Sequence, residues 1–394
     1  MHLSDTRKFY GLITAPWNTV PAAIILGCLF LSANAPESWA RSAGELDREI
    51  RKAERFDINH EGNRFELLGD FEGTTIIFKV YDPAEIKRGA LKLPSSNSNY
   101  RGEIAVQRIA GFLGITIFPA TVYKSLDKKT AKKLITVLQA KKFTTSRKDH
   151  HRRGIENKEK NRKEALRRLH TEANPGGCFK EWVENIQFVS ALGTRENLGG
   201  HQVMKYLKAD GPMPAEGAAV LKQCTSLMSE KGCFTGSIEW LRLARNISDM
   251  MLVDALSGNR DRFPGGNVHM RSLDGIRKRG PAGIHFPRVE LLALDNGATF
   301  LGQQSGSLDD LTGRKVASTR VERFVKGRYE KLLELQELVR TDPAEAREKL
   351  FLREFRDPAG RRIDMFGQLA GNLAAVLDYM ERNREKFGSR TILP

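Results

Sequence analysis

The sequence predicts an α+β fold in two lobes, a small β-rich N-terminal lobe carrying one helix and a larger, mainly helical C-terminal lobe. Three observations lead there. A run rich in β-branched residues, Thr74 to Val80, follows a first short apolar run and a glycine-containing turn. A helical stripe follows over Tyr100 to Leu113, and a strand-like run returns over Ile115 to Tyr123. Beyond Pro175 the pattern is mostly of helical period, interrupted by two strand-like runs, Val268 to Leu273 and Val289 to Leu294. At 394 residues the chain is long enough to bury a sizeable core.

The elements take their places in order. Arg7 and Lys8 precede an uncharged stretch, Phe9 to Pro36, whose apolar centre is Val20 to Leu31. That composition reads as an export signal, with cleavage after Ala40 and an uncleaved membrane anchor both open. Localisation is therefore expected outside the cytoplasm, periplasmic or secreted. A short helix is expected from Asp47, then strands Phe65 to Leu68 and Thr74 to Val80 around the turn Gly69 to Gly73. In the next helix Val106, Ile109, Ala110 and Leu113 form the apolar stripe, and Gly114 ends it. Domain boundaries are expected at 1–40 for the signal or anchor, 41–123 for the small lobe, 124–175 for an insertion and 176–394 for the large lobe.

The insertion stands out by charge. Lys124 to His170 holds 17 Lys/Arg against 5 Asp/Glu, which is +12 of the formal +16 of the whole chain. A helix fits Lys128 to Phe143, and the following SRKDHHRRGIENKEKNRKE reads as a solvated arm. Three readings of this segment stay open: a solvated surface, a docking surface for an acidic protein or anionic glycan, and nucleic-acid binding. Few aromatics interleave with its charges and the chain is read as exported, so nucleic acid is the least favoured.

After the insertion, helices are expected over Phe179 to Val189, Pro214 to Met228 and Ile238 to Leu256, and finally Arg320 to Leu338, Pro343 to Phe355 and Asp364 to Phe387. The mature chain would keep Cys178, Cys224 and Cys233, none with zinc-site spacing. A Cys224–Cys233 bond is one option and three thiols the other.

Candidate chemistry gathers at few places. Lys79 near the end of its strand is a fixed point charge of the kind that holds nucleotide phosphates. Glu103 falls on the apolar stripe of the next helix, where a carboxylate needs a cation. Gly73 lets backbone amides approach phosphate oxygens, although no GxxxxGK[ST] loop is present. Asp261 follows the long helix within GNRDRF and suits a proton acceptor, and Asn267 lies six residues on. Asp295, in LLALDNGATF, ends an apolar strand as a metal-binding carboxylate does. The spacing from Asp261 to Asn267 is one residue longer than in an HRDxxxxN loop.

The segments TTIIFKVYDP, NYRGEIAVQRIAGFLGI, SDMMLVDALSGNRDRF and LLALDNGATF resemble the secretory-pathway atypical kinases related to Four-jointed and the Golgi casein kinase. More distantly they resemble HipA-like and phosphatidylinositol kinases. The resemblance implies a two-lobed protein-kinase-like fold and an ATP-dependent kinase using Mg2+ or Mn2+, which transfers the γ-phosphoryl group to a hydroxyl of a protein or glycan. It implies that Lys79, Glu103 and Gly73 position the nucleotide, that Asp261 is catalytic, and that Asn267 and Asp295 bind metal. Two alternatives remain: a silent kinase-like module that binds an acidic polymer through the basic insertion, and a lipid or small-molecule kinase.

Overall fold

The computed structural model describes residues 66–67, 77–82, 87–92, 100–140, 152–173, 175–181, 183, 186–214, 216–225, 232–263, 267–276, 278–280, 283–301, 305–352, 355–356 and 362–394. The signal or anchor segment, the helix expected from Asp47 and the turn through Gly69 and Gly73 lie outside them. Among the described residues no helix is long and apolar enough to cross a membrane.

The fold is α+β in two lobes, as predicted. The first is built on a sheet of five antiparallel strands, β1 (Glu66–Leu67), β2 (Ile77–Asp82), β3 (Lys87–Lys92), β4 (Thr121–Ser125) and β5 (Gly176–Glu181), in the order β1-β2-β3-β5-β4. Helix α1 (Tyr100–Phe112) buries Ile104, Ala105, Val106, Ile109 and Ala110. It ends where Gly114 takes a left-handed φ of 69° and Ile115 N–H turns back to Ala110 O at 2.8 Å. Residues Ile115 to Ala120, expected as strand, instead run as an irregular connection with Ile115, Ile117 and Phe118 buried, and the strand starts at Thr121.

The insertion differs from its expected form in two ways. It contains α2 (Lys128–Ala140) and a second helix, α3 (Arg152–Thr171), where a solvated arm was expected from composition. Leu126, Ala131, Leu134, Leu138, Ala165 and Leu169 form a small core between them, and that apolar burial is what folds so polar a sequence. The insertion also interrupts the sheet between two paired strands instead of dividing the lobes. Ser125 on β4 faces Gly176 on β5, and Leu126 N–H donates to Pro175 O at 2.8 Å, so the helices fill an enlarged hairpin loop.

Two expected helices are strands. Phe179 to Val189 forms the end of β5 and β6 (Ile186–Phe188), and Pro214 to Met228 yields β7 (Ala218–Thr225), paired with β8 (Gly232–Glu239). Short helices α4 (Arg195–Gly200) and α5 (Val203–Tyr206) lie between β6 and β7. Cys233 is disulfide-bonded, and its register partner across the β7–β8 ladder is Cys224.

The centre of the second lobe is α6 (Trp240–Ser257), of which every residue from Ile247 to Ser257 is buried. A helix covered all round must satisfy its polar side chains internally. Ser248 Oγ donates to Arg323 O at 2.9 Å, and Asp249 takes two bonds from Arg328, at 2.8 and 2.9 Å. Gly258 caps the helix at φ 67°. The expected hairpin is present: β9 (Val268–Ser272) pairs antiparallel with β12 (Val289–Ala293), and β6 lies on the other side of β9. Between them β10 (Lys278–Gly280) and β11 (Gly283–Phe286) extend the β7–β8 sheet. Helices α7 (Ser305–Thr312), α8 (Arg328–Thr341), α9 (Pro343–Leu350) and α10 (Met365–Phe387) close the chain, α8 beginning later than the expected Arg320.

Candidate active site

Three of the predicted residues meet where α6 ends and the β9–β12 hairpin begins. Gly258 reverses the chain, and Asn259 N–H returns to Asp254 O at 3.0 Å. Asn259 Oδ1 then accepts the Asp261 N–H at 3.0 Å, which orients the loop. Asn267 Nδ2 donates to Asp261 O at 2.8 Å and to Asp261 Oδ2 at 3.4 Å. With its nitrogen committed to Asp261, the Asn267 side chain has its oxygen to offer a cation.

Asp295 reaches the same place from the end of β12. Leu294 N–H donates to Asn267 O at 3.0 Å, closing the hairpin one residue before Asp295. Asp295 itself adopts a left-handed φ of 47°, a conformation costly for most residues with a Cβ and more tolerable for Asp. Burial raises the Asp261 carboxyl above the ordinary carboxylate range, and the Asp295 charge raises it further. The Asn267 amide and Arg262 pull it down less. Two carboxylates that repel one another, beside an amide oxygen, suit a hard divalent cation completed by phosphate oxygens and water. Among the described residues no group of three His, Cys, Asp or Glu forms a metal-holding cluster on its own.

The residue that assembles this corner is Arg262, which sequence reasoning passed over. Its side chain is 1% exposed, and all five guanidinium donors are used. Nε and Nη2 grip both oxygens of Asp254 at 2.9 Å each. Nη1 donates to Asn267 O at 3.1 Å and Leu294 O at 2.5 Å, and Nη2 also donates to Asn296 Oδ1. Its guanidinium carbon lies 5.7 Å from the Phe118 ring centroid, and Ala293 N–H donates to Ile117 O at 3.0 Å. The connection after α1 is thereby docked on the hairpin. The sequence signal was an arginine adjoining a candidate acid in a turn-forming segment.

The small-lobe residues are placed less completely. Glu103, fully buried on α1, pairs with Lys180 of β5. The Lys79 backbone is on β2, and its side chain lies outside the described residues, as does Gly73. Register sets Lys79 opposite Ala90 and Ala90 opposite Lys180, so the two lysines stand two strands apart in the sheet. Lys180 was missed because its segment was read as helix.

No protein-family profile matches the chain, and no curated protein is significantly similar to it in sequence. Among solved structures, it is similar to the Golgi casein kinase with Mn/ADP bound, at 14% identity and TM-score 0.49, over 88% of this chain and 79% of that one. A second crystal structure of the Golgi casein kinase gives 14% identity and TM-score 0.49, over 89% of this chain and 78% of that one. The structure of hydra Fam20 with sugar gives 16% identity and TM-score 0.42, over 84% of this chain and 89% of that one.

Proposed function

We propose that the chain is an exported ATP-dependent kinase that transfers the γ-phosphoryl group to a hydroxyl of a protein or glycan. The observation that carries this reading is the convergence of Asp261, Asn267 and Asp295 at one end of the β9–β12 hairpin, with Asn267 bonded to Asp261 and the two carboxylates electrostatically coupled. ATP with Mg2+ or Mn2+ supplies the phosphoryl group and neutralises the charge around it.

The chain's own residues do the rest. Asp261 orients the acceptor hydroxyl and takes its proton; its raised affinity for protons favours that transfer. Asn267 keeps the Asp261 carboxylate in place through Nδ2, which leaves its Oδ1 as a donor that would hold the cation, and Asp295 would provide the charged metal ligand. Lys79 and Glu103, with Gly73 in the preceding turn, are assigned to nucleotide positioning. Export is supported by the uncharged N-terminal segment and by the disulfide at Cys233.

The test is phosphotransfer by the purified chain. With labelled ATP and Mn2+ or Mg2+, wild type should label proteins or glycans from an exported fraction, and Asp261→Asn should not. Equal labelling by both would refute the assignment of Asp261.

A further inference from the structure

We infer that Arg262 is a positioning residue, which sets the relation between the two segments carrying the candidate metal ligands Asn267 and Asp295. The inference rests on the phosphotransfer reading for its functional meaning, but its geometry is independent of it.

The bidentate grip on Asp254 fixes the guanidinium plane to α6, the most deeply buried helix of the lobe. The donors left over reach the two segments that adjoin the hairpin, one just before β9 and one just after β12. Asn267 O belongs to one candidate ligand, while Leu294 O and Asn296 Oδ1 belong to the residues on either side of the other. Asp295 thus holds its left-handed backbone between two neighbours, both tied to the same cation. Asn267 O also accepts the Leu294 N–H at 3.0 Å, so rotation of either segment breaks contacts of both.

Lysine cannot reproduce this arrangement. It keeps the charge but has three donors on one nitrogen and no fork, so it cannot bridge Asp254, Asn267, Leu294 and Asn296 together. Partners that orient metal ligands without touching the metal typically change metal affinity by 10–100-fold, and a loss of that order is expected here.

The experiment compares the full chain with Arg262→Lys and Asn296→Ala. The probe is Mn2+ with ADP, followed by calorimetry and by the spin-resonance signal of bound Mn2+. Arg262→Lys should weaken Mn2+ binding about tenfold or more, and Asn296→Ala, which removes one of the five Arg262 bonds and leaves the buried charge paired with Asp254, by a smaller factor. A folded Arg262→Lys with wild-type Mn2+ affinity would overturn the inference. If Arg262→Lys does not fold, unchanged affinity in Asn296→Ala has the same force. Should wild type bind no Mn2+ with ADP, the phosphotransfer reading fails, and the positioning role is then decided by the backbone. Unchanged amide chemical shifts at Asn267 and Asp295 in Asn296→Ala would end it, and shifts at both would sustain it.

Discussion

Lys180 on β5 and Glu103 on α1 form a buried ion pair that joins the first helix to the five-stranded sheet. The Glu103 side chain is 0% and that of Lys180 8% exposed, so neither charge has water to fall back on. Removing Lys180 takes a buried counter-charge from Glu103. Lys180→Met should therefore destabilise the protein by about 3–5 kcal/mol, whereas the double variant with Glu103→Gln should recover part of that loss. Equilibrium denaturation of the two variants and wild type checks this.

Asp295→Asn should abolish metal-dependent phosphotransfer and leave the fold intact, because asparagine also tolerates the left-handed backbone and the side chain lies at a hairpin end outside the apolar core. The thermal midpoint should stay close to wild type while Mn2+ or Mg2+ no longer shifts it in the presence of nucleotide. Wild-type turnover in the purified variant would disprove the metal assignment.

Asp261 should govern the acid side of the rate profile. Burial and the neighbouring Asp295 raise its pKa, and the group works as an anion, so activity should fall with decreasing pH at a point above the ordinary carboxylate value of 3.8. Replacing Asp295 with Asn removes the like charge and should lower the Asp261 pKa, measured by NMR titration of its side-chain carboxyl in the absence of metal.

The insertion should loosen in acid. Glu164 bonds to Arg167 and Arg168, at 2.8–2.9 Å, and its pKa is lowered from 4.5 to about 2. A carboxylate with a depressed folded pKa contributes stability that is present above pH 4.5 and lost as the pH falls toward 2. Hydrogen exchange across α2 and α3 should accelerate over that window, and Glu164→Gln should flatten the dependence.

Much of this architecture was legible where one physical signal dominated. The α1 stripe, the long apolar α6 ending at Gly258 and the β9–β12 hairpin strands follow from periodicity and from a residue that tolerates the left-handed cap. The Asp261, Asn267 and Asp295 cluster followed from residue types at element ends. Strands β5 and β7 were misread although turn-forming residues precede both, because GGCFKE and AAVLKQCT are short and of mixed polarity, and sheet partners decide their state. Helix α3 was invisible for the opposite reason: its charges hide the few apolar positions, such as Ala165 and Leu169, that matter. Lys180 and Arg262 were missed since burial of a cation depends on acceptors brought from distant segments, Glu103 in one case and Asp254 with three later residues in the other.

The meeting of Leu126 and Pro175 across a single ladder has a practical meaning. A polypeptide bubble whose two ends already touch can be trimmed, exchanged or enlarged without asking the strands beneath to move. Splicing a tight turn between those ends would yield a shortened protein with its sheet unchanged, and a related chain could wear a different appendage at the same stem.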